Sequence, residues 1–440
     1  MQARRTHTRA SHNANIDTHA KITSELSFAS ECLQALSPPP KLSLVAVTGT
    51  NGKSTVTTFV GQLLNACGAN AWVGGNLGVP LSCLATQFVT GEIARDFYAA
   101  AVVEVSSYQL QLAGAFAPDA AAILNVTPDH LARHGTMEAY AEAKLAVFAN
   151  MRDASTVAVV PADDPALVKK AAEAAPRASP CLLGVCEDSE LVTAAGAWLT
   201  RSGERALVRL PAHAGRPPVG ESDLSLEVDL TKLRAVGRHN RANAAAACLL
   251  AAATSEVARD AGALSDAMAS LLPPPHRMEA LGEDARGVLW INDSKATNVE
   301  STIAGVGGLD GRRAVVLLGG EAKEDAAGAL GMERLVPALE PHDCVVTFGA
   351  SGPKIAAELR AAGLGTGDGA AGLAGAARCR LVELGAGAAL EAAAAAGAAE
   401  ARDGGALILS PACASFDQFR NFVHRGEVFA EVYEAQRSVR

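Results

Sequence analysis

The stretch 48-TGTNGKSTVTTFVGQLL-64 sets a lysine directly before two hydroxyl residues. A phosphate loop of the form G-x-x-x-x-G-K-[ST] does this: backbone N–H groups cradle phosphate, the lysine reaches the terminal phosphates, and the hydroxyl binds Mg²⁺. Counting back from Gly52, the first glycine should fall at Val47, but it comes at Gly49. Context supports the loop nonetheless. It follows the apolar run 42-LSLVAV-47 and precedes Val56, Phe59, Val60, Leu63, Leu64 and Cys67, which share one helical face. A strand-to-helix corner presents N–H groups and the helix dipole to an anion. Lys53 is therefore a candidate for the terminal phosphates, and Ser54 or Thr55 for Mg²⁺.

Further polar residues sit where apolar ones are expected. Glu104 interrupts 102-VVEVSSYQL-110. A carboxylate there is costly unless paired or metal-bound, so it is expected to be a Mg²⁺ ligand or half of a buried ion pair. In 137-MEAYAEAKLAVFAN-150, Lys144 shares a stripe with Met137, Tyr140 and Phe148. Such a lysine either snorkels to water or is desolvated, with a depressed pKa and a nucleophilic amine. A neutral amine can add to CO₂, and the carbamate is an anionic metal ligand. In 127-TPDHLARH-134, His130 follows Asp129 on a loop and is a candidate metal ligand or proton acceptor.

Downstream, 289-LWINDSKATN-298 leaves a strand through Asn292, Asp293, Ser294, Lys295 and Thr297, which reads as a ligand loop or as a turn with a helix cap. Lys323 follows 317-LLGGEAK-323, whose glycines allow close backbone approach. In 409-LSPACASFDQFRNF-422, small residues keep a helix N-terminus open to an anion.

The elements that carry these residues alternate along the chain. Strands are expected at 101–105, 120–126 and 155–160, short β pieces between 180 and 235, and a helix over 240–254. The prolines of 273-PPPHR-277 mark a domain boundary. Beyond it, strands are expected at 287–291, 313–318, 344–348, 379–384 and 405–409, with a helix from about Phe416. The Gly/Ala-rich stretch 362–376 reads as a surface loop. Such alternation gives an α/β fold with parallel sheets covered on both faces.

At 440 residues, two or three domains are expected. The net charge of −9 argues against a nucleic-acid partner. Nine scattered cysteines without a C-x-x-C pair read as reduced thiols. No segment looks membrane-spanning. The first fifteen residues hold three arginines and no acid, which suits an organelle transit peptide or a frayed basic terminus.

Together these stretches resemble the Mur ligase family. The matching residues are GTNGKST at 49, GGNLG at 74, EVSSYQL at 104, NVTPDHLARH at 125, AKLAVF at 143, GRHNRANA at 237, PHR at 275, WINDSKATN at 290, LLGG at 317 and SPACASFDQF at 410. GTNGKST alone also marks folylpolyglutamate synthase, while NDSKATN with SPACASFDQF resembles the branch that adds D-glutamate.

The resemblance implies a central P-loop-type parallel-sheet ATPase domain over 38–273 and a C-terminal Rossmann-like doubly wound domain over 274–440. It implies ATP-dependent amide formation between UDP-N-acetylmuramoyl-L-alanine and D-glutamate, by a cytoplasmic monomer, with a plastid stroma as the alternative compartment. Gly49, Thr50, Asn51, Gly52, Lys53, Ser54 and Thr55 would cradle the triphosphate. Ser54 and Glu104 would hold one Mg²⁺, and carbamylated Lys144 with His130 a second. Asn240, Asn243, Arg277 and Asp293 would surround the nucleotide. Asn76 would touch the muramoyl substrate, while Thr297, Lys323, Ser415 and Phe422 would form the D-glutamate pocket, with Lys295 beside it. The family begins with a domain that binds uridine diphosphate. Here 21-KITSELSFASECLQAL-36 resembles only its tail, so 1–37 is expected to be a remnant or a disordered leader. A folylpolyglutamate synthase-like ligase and an inactive ATP-binding homologue are the alternatives.

Overall fold

The computed structural model describes residues 23–438, apart from 152, 190–191, 310, 325–327 and 366–378. Most of the expected surface loop at 362–376, and the basic first fifteen residues, lie outside the described residues.

The first sheet has nine strands: β1 (Ser43–Thr48), β2 (Ala71–Gly75), β3 (Ala100–Glu104), β4 (Ala120–Ile123), β5 (Val157–Pro161), β6 (Ser179–Cys186), β7 (Gly196–Thr200), β8 (Arg205–Leu210) and β9 (Leu224–Asp229). Their order is β2-β3-β1-β4-β5-β6-β7-β8-β9. All neighbours are parallel except β7–β8 and β8–β9.

Residues alternate across the pleat because strand side chains point to opposite faces. Val45 and Val47 join the core under the helices Lys53–Ala66 and Arg238–Thr254. Ala46, Val103 and Ile123 join the opposite core with Trp72, Phe88 and Phe148. Burial on both faces explains the unbroken apolar runs of these strands.

The second sheet has six: β10 (Glu279–Glu283), β11 (Leu289–Asn292), β12 (Ala314–Gly319), β13 (Cys344–Phe348), β14 (Arg380–Glu383) and β15 (Ala406–Leu409), in the order β10-β11-β15-β12-β13-β14. Only β10 is antiparallel. Val316 and Leu318 face one core, and Val315 and Leu317 the other. The mixed α/β architecture with two parallel-dominated sheets is the expected class. No disulfide joins any of the nine cysteines.

Several boundaries differ from expectation. The strand expected over 120–126 stops at Ile123. The chain turns there so that the Asn125 carbonyl accepts the Thr50 N–H. The helix expected over 137–150 is α-helical only to Leu145 and then tightens into a 3₁₀ turn. The last helix starts at Phe422 rather than about Phe416. Asn421 Oδ1 accepts the His424 N–H there, as an N-cap does. Strands β2 and β10 lie outside the expectations.

Candidate functional site

The phosphate loop joins β1 to the helix Lys53–Ala66. Its glycines are required by conformation and by space. Gly52 caps the helix at φ +85°, where a Cβ would stand 2.8 Å from Asn243 Oδ1. Gly49, at φ +150°, would press a Cβ to 3.1 Å from Leu124 Cβ. The displaced first glycine therefore marks the point where the loop passes the end of β4.

Asn125 clamps the loop. Its Oδ1 accepts the N–H groups of Thr50 (3.0 Å) and Asn51 (2.8 Å), and its Nδ2 donates to the Asn51 carbonyl. Thr50 Oγ1 donates to the Thr127 carbonyl and lies 3.2 Å from the Tyr140 hydroxyl.

Two lysines converge on this loop. Lys53 Nζ donates to the carbonyls of Gly49 (2.9 Å) and Thr50 (2.8 Å). Lys144 Nζ donates to the same Gly49 carbonyl at 2.8 Å and lies 4.4 Å from the Tyr140 ring centroid. Lys144 is 1% exposed. It does not snorkel, and burial, then the charge of Lys53, lowers its amine to about 7. Burial also lowers Lys53, to about 8, with Glu104 acting in the opposite direction.

Glu104 ends β3 and is buried. Asn76 Nδ2 donates to its Oε1 at 2.7 Å, while Oε2 has no hydrogen-bond partner among the described residues. An orphaned carboxylate oxygen fits a hard cation. The Thr55 hydroxyl is likewise buried without a partner.

His130 sits at φ +53°, a sparsely populated region for a residue with a Cβ. Its Nδ1 is 3.0 Å from the Tyr108 hydroxyl, and its Nε2 is 3.5 Å from Asp129 Oδ2. Among the described residues no group of three or more His, Cys, Asp and Glu could hold a metal. Glu104, His130, Lys144 and Ser54 are a mixed set and do not form such a group.

The polar run after β11 faces the same loop. A cavity of about 450 Å³ has Asn51, Gly52 and Thr55 on one wall and Arg277, Asp293 and Lys295 on the other. Asn240 and Asn243 also line it, joined by a 3.2 Å hydrogen bond. Burial pushes Asp293 up to about 7, against the hydrogen bonds it accepts from Ser410 Oγ and the Met278 N–H. Burial lowers both Arg277 and Lys295. His276 and Met278, on either side of Arg277, both have positive φ. The stretch 292–298 lines a cavity through Asp293 and Lys295 and ends as a helix cap, since Asn298 caps the helix Val299–Gly307.

A second cavity, of about 410 Å³, brings together Thr297 and Lys323, with Glu324 and Arg334 nearby. Glu300 lines both cavities and pairs with Arg334. Ser415 and Phe422 do not line this second cavity. Ser415 is buried, and its carbonyl accepts the Phe419 N–H. The Phe422 ring lies 5.0 Å from Lys295 Nζ, and its carbonyl accepts the Ser294 hydroxyl.

Sequence reasoning passed over Asn125, Tyr108, His239 and Arg425. Asn125 carried a usable signal, a polar side chain directly after an apolar strand. Arg425 carried none. It is fully buried and donates to Ser294 and to the carbonyls of Gly319, Cys413 and Ala414, tying the loops after three strands together.

Two family patterns match this chain, the Mur ligase middle domain over residues 47–251 and the Mur ligase glutamate ligase domain over residues 276–413. The chain belongs to the Mur ligase family. Among characterised proteins, this Mur ligase is 36% identical over 430 residues to the UDP-N-acetylmuramoylalanine–D-glutamate ligase of Burkholderia pseudomallei strain 668. It is 33% identical to the protein of the same name from Paraburkholderia phymatum. Each match covers 94% of this chain and 78% of the relative.

Among solved structures it is similar to the MurF ligase of Thermotoga maritima in complex with ADP. The TM-score is 0.59 at 20% identity, covering 94% of this chain and 83% of that one. MurF of Acinetobacter baumannii also gives 0.59, at 17% identity, covering 93% and 79%. These likenesses show the fold alone. The Mur ligase is thus an ATP-dependent amide ligase of peptidoglycan synthesis. Among the described residues no helix is long and apolar enough to cross a membrane. The relatives named are bacterial and give the plastid alternative no support.

Proposed function

We propose that this Mur ligase adds D-glutamate to UDP-N-acetylmuramoyl-L-alanine in a bacterial cytoplasm, acting as a monomer. Residues 38–273 form its nucleotide domain and 274–440 the domain that receives the amino acid. The observation that carries this reading is the adjacency of two cavities across Glu300. One joins the phosphate loop to Asp293 and Lys295, and the other holds Thr297 and Lys323. No observation favours the folylpolyglutamate synthase-like alternative.

The substrate carboxylate attacks the γ-phosphorus of ATP. The bond to the β,γ-bridging oxygen breaks, and ADP leaves with an acyl phosphate formed. The neutral amine of D-glutamate then attacks the acyl carbon and phosphate departs. Lys53 places a positive charge against the terminal phosphates. Asn240, Asn243, Arg277 and Asp293 hold the nucleotide, and Asn76 touches the muramoyl group. Lys323, which makes no ion pair among the described residues, faces the side-chain carboxylate of D-glutamate beside Thr297. Ser415 and Phe422 lie outside that cavity and are not part of this pocket, while Lys295, beside the Phe422 ring, extends toward the nucleotide. With His130 assigned to a metal, the proton the amine loses passes to solvent.

Glu104 and Ser54 would supply oxygen ligands for one Mg²⁺, and a carbamate oxygen on Lys144 with the imidazole nitrogen of His130 would hold a second. When bound, these ions offset the repulsion between triphosphate and carboxylate. The carbamate forms when the neutral Lys144 amine adds to the carbon of CO₂ and its proton passes to solvent.

Phosphate release tests the proposal. Turnover should require ATP, Mg²⁺, UDP-N-acetylmuramoyl-L-alanine and D-glutamate together. Equal rates with L-glutamate, or phosphate release with a folate acceptor, would overturn it.

A further inference from the structure

Beside the nucleotide cavity lies a larger one, of about 640 Å³, that the ligase reaction does not use. It opens where β4 and β5 end, between β6, β7 and the helix Arg238–Thr254. Ligands of parallel α/β sheets bind in crevices at the carboxyl ends of strands.

Small residues keep the space open. Ala242, Ala245 and Ala246 form one helical wall. Gly184 sits under the Trp198 ring, where a Cβ would come within 2.4 Å of the indole. The indole N–H donates to the Ala194 carbonyl, which anchors the ring as the opposite wall.

The charge on its lining is of one sign. Asp163 stands exposed at the rim, and no lysine or arginine lines the cavity. Anions are therefore disfavoured. His239 Nδ1 is buried without a hydrogen-bond partner among the described residues, and it lies against Gly237 and Gly308 rather than in the cavity. Burial lowers the His239 imidazole to about 4, so the ring is neutral at pH 7 and adds no positive charge to the wall. A flat, mostly apolar molecule carrying an N–H donor and at most one positive charge satisfies all of these groups.

The partition between the two cavities is thin. Asn125, His239 and Asn243 line both. Asn125 holds the N–H groups of the phosphate loop, and Asn243 Oδ1 faces Gly52. A ligand that shifts Asn125 from the far side must also shift the loop.

We propose that this cavity is a second ligand site for a planar aromatic amine or amidine, coupled to the nucleotide site through Asn125, His239 and Asn243. The coupling half rests on the reading of the neighbouring cavity as the ATP site. The occupancy half does not.

The probe is 2-aminobenzimidazole, which is flat and carries N–H donors and at most one positive charge. It is titrated by calorimetry and tryptophan fluorescence, with a Trp198→Phe control to assign the signal, into the whole chain, with and without saturating Mg-AMP-PNP. AMP-PNP binding is also measured alone. The probe should bind in both conditions. It should change AMP-PNP affinity at least threefold, and AMP-PNP should change probe affinity by the same factor. Ala242→Phe, at an exposed helix position, should fill the cavity and weaken the probe at least tenfold while AMP-PNP still binds. Asp163→Asn, at the exposed rim, should weaken it severalfold and serves if the phenylalanine variant does not fold.

Full displacement of the probe by AMP-PNP would make the two cavities one site and overturn the proposal. So would no binding, or binding insensitive to both substitutions. Failure of AMP-PNP to bind on its own would instead strike the nucleotide reading.

Discussion

Lys144→Met should make the protein more stable and catalytically dead. The side chain is 1% exposed, and its amine is lowered from 10.5 to about 7, chiefly by burial. At ~1.36 kcal/mol per pH unit, the folded environment disfavours the ammonium by ~5 kcal/mol. Methionine fills similar space without charge. It forfeits one hydrogen bond, to Gly49, worth about 1 kcal/mol. The Gly49 carbonyl is not orphaned, since Lys53 still donates to it.

The net expectation is a gain of about 3 kcal/mol at pH 7. The sign of its pH dependence follows from the depressed pKa. Between about 7 and 10.5 the unfolded chain holds the extra proton, so the parent gains stability as pH rises through that window. The advantage of the variant should shrink by up to ~1.36 kcal/mol per pH unit and vanish near pH 10. Urea unfolding of both proteins at pH 7, 8, 9 and 10, in CO₂-free buffer, measures the difference, and titrations common to both cancel. Added bicarbonate should then stabilise the parent and leave the variant unmoved. A stability difference that stays constant across that range would refute the reasoning.

Lys323→Ala should weaken D-glutamate binding roughly tenfold or more, from the loss of a charged hydrogen bond of about 1.5–3 kcal/mol. Nucleotide affinity should stay nearly unchanged by calorimetry, and an equal loss for both ligands would move Lys323 out of the amino-acid pocket. Asn125→Ala releases the N–H groups of Thr50 and Asn51. AMP-PNP affinity should fall by about tenfold at ~1.4 kcal/mol, and unchanged affinity would show that the loop holds its shape without the clamp. Tyr108→Phe removes the hydroxyl beside His130 Nδ1 but keeps the ring. Mn²⁺ binding followed by electron paramagnetic resonance should weaken severalfold, whereas an intact Mn²⁺ signal would mean the hydroxyl does not orient His130.

What was legible in the sequence divides along a physical line. Strands buried on both faces announce themselves as apolar runs, and β1, β3, β12 and β13 fall close to where those runs lie. By contrast, 71-AWVGG-75 has only three apolar residues before its glycines and 279-EALGE-283 only two between polar ends, too short to mark strands, so β2 and β10 depended on neighbours. Lys144 was legible because helical periodicity places it on a buried stripe. The pairing of Thr297 with Lys323 was not, since two separate strand ends must meet to make it. Arg425 shows the same limit, because its partners lie in three distant segments that only the fold assembles.

Glu300 gives the two cavities a common boundary post. It stands in the first turn of the helix Val299–Gly307 and is held by Arg334. Filling either cavity changes the field and the packing around this one carboxylate, and thus the other cavity's appetite for its guest. Such influence is mutual by thermodynamic necessity. On the proposed assignment of the two cavities, arrival of the amino acid would register at the nucleotide through Glu300. Cutting the Glu300–Arg334 tie should appear first as a change in the order in which substrates load, and only later as a loss of speed.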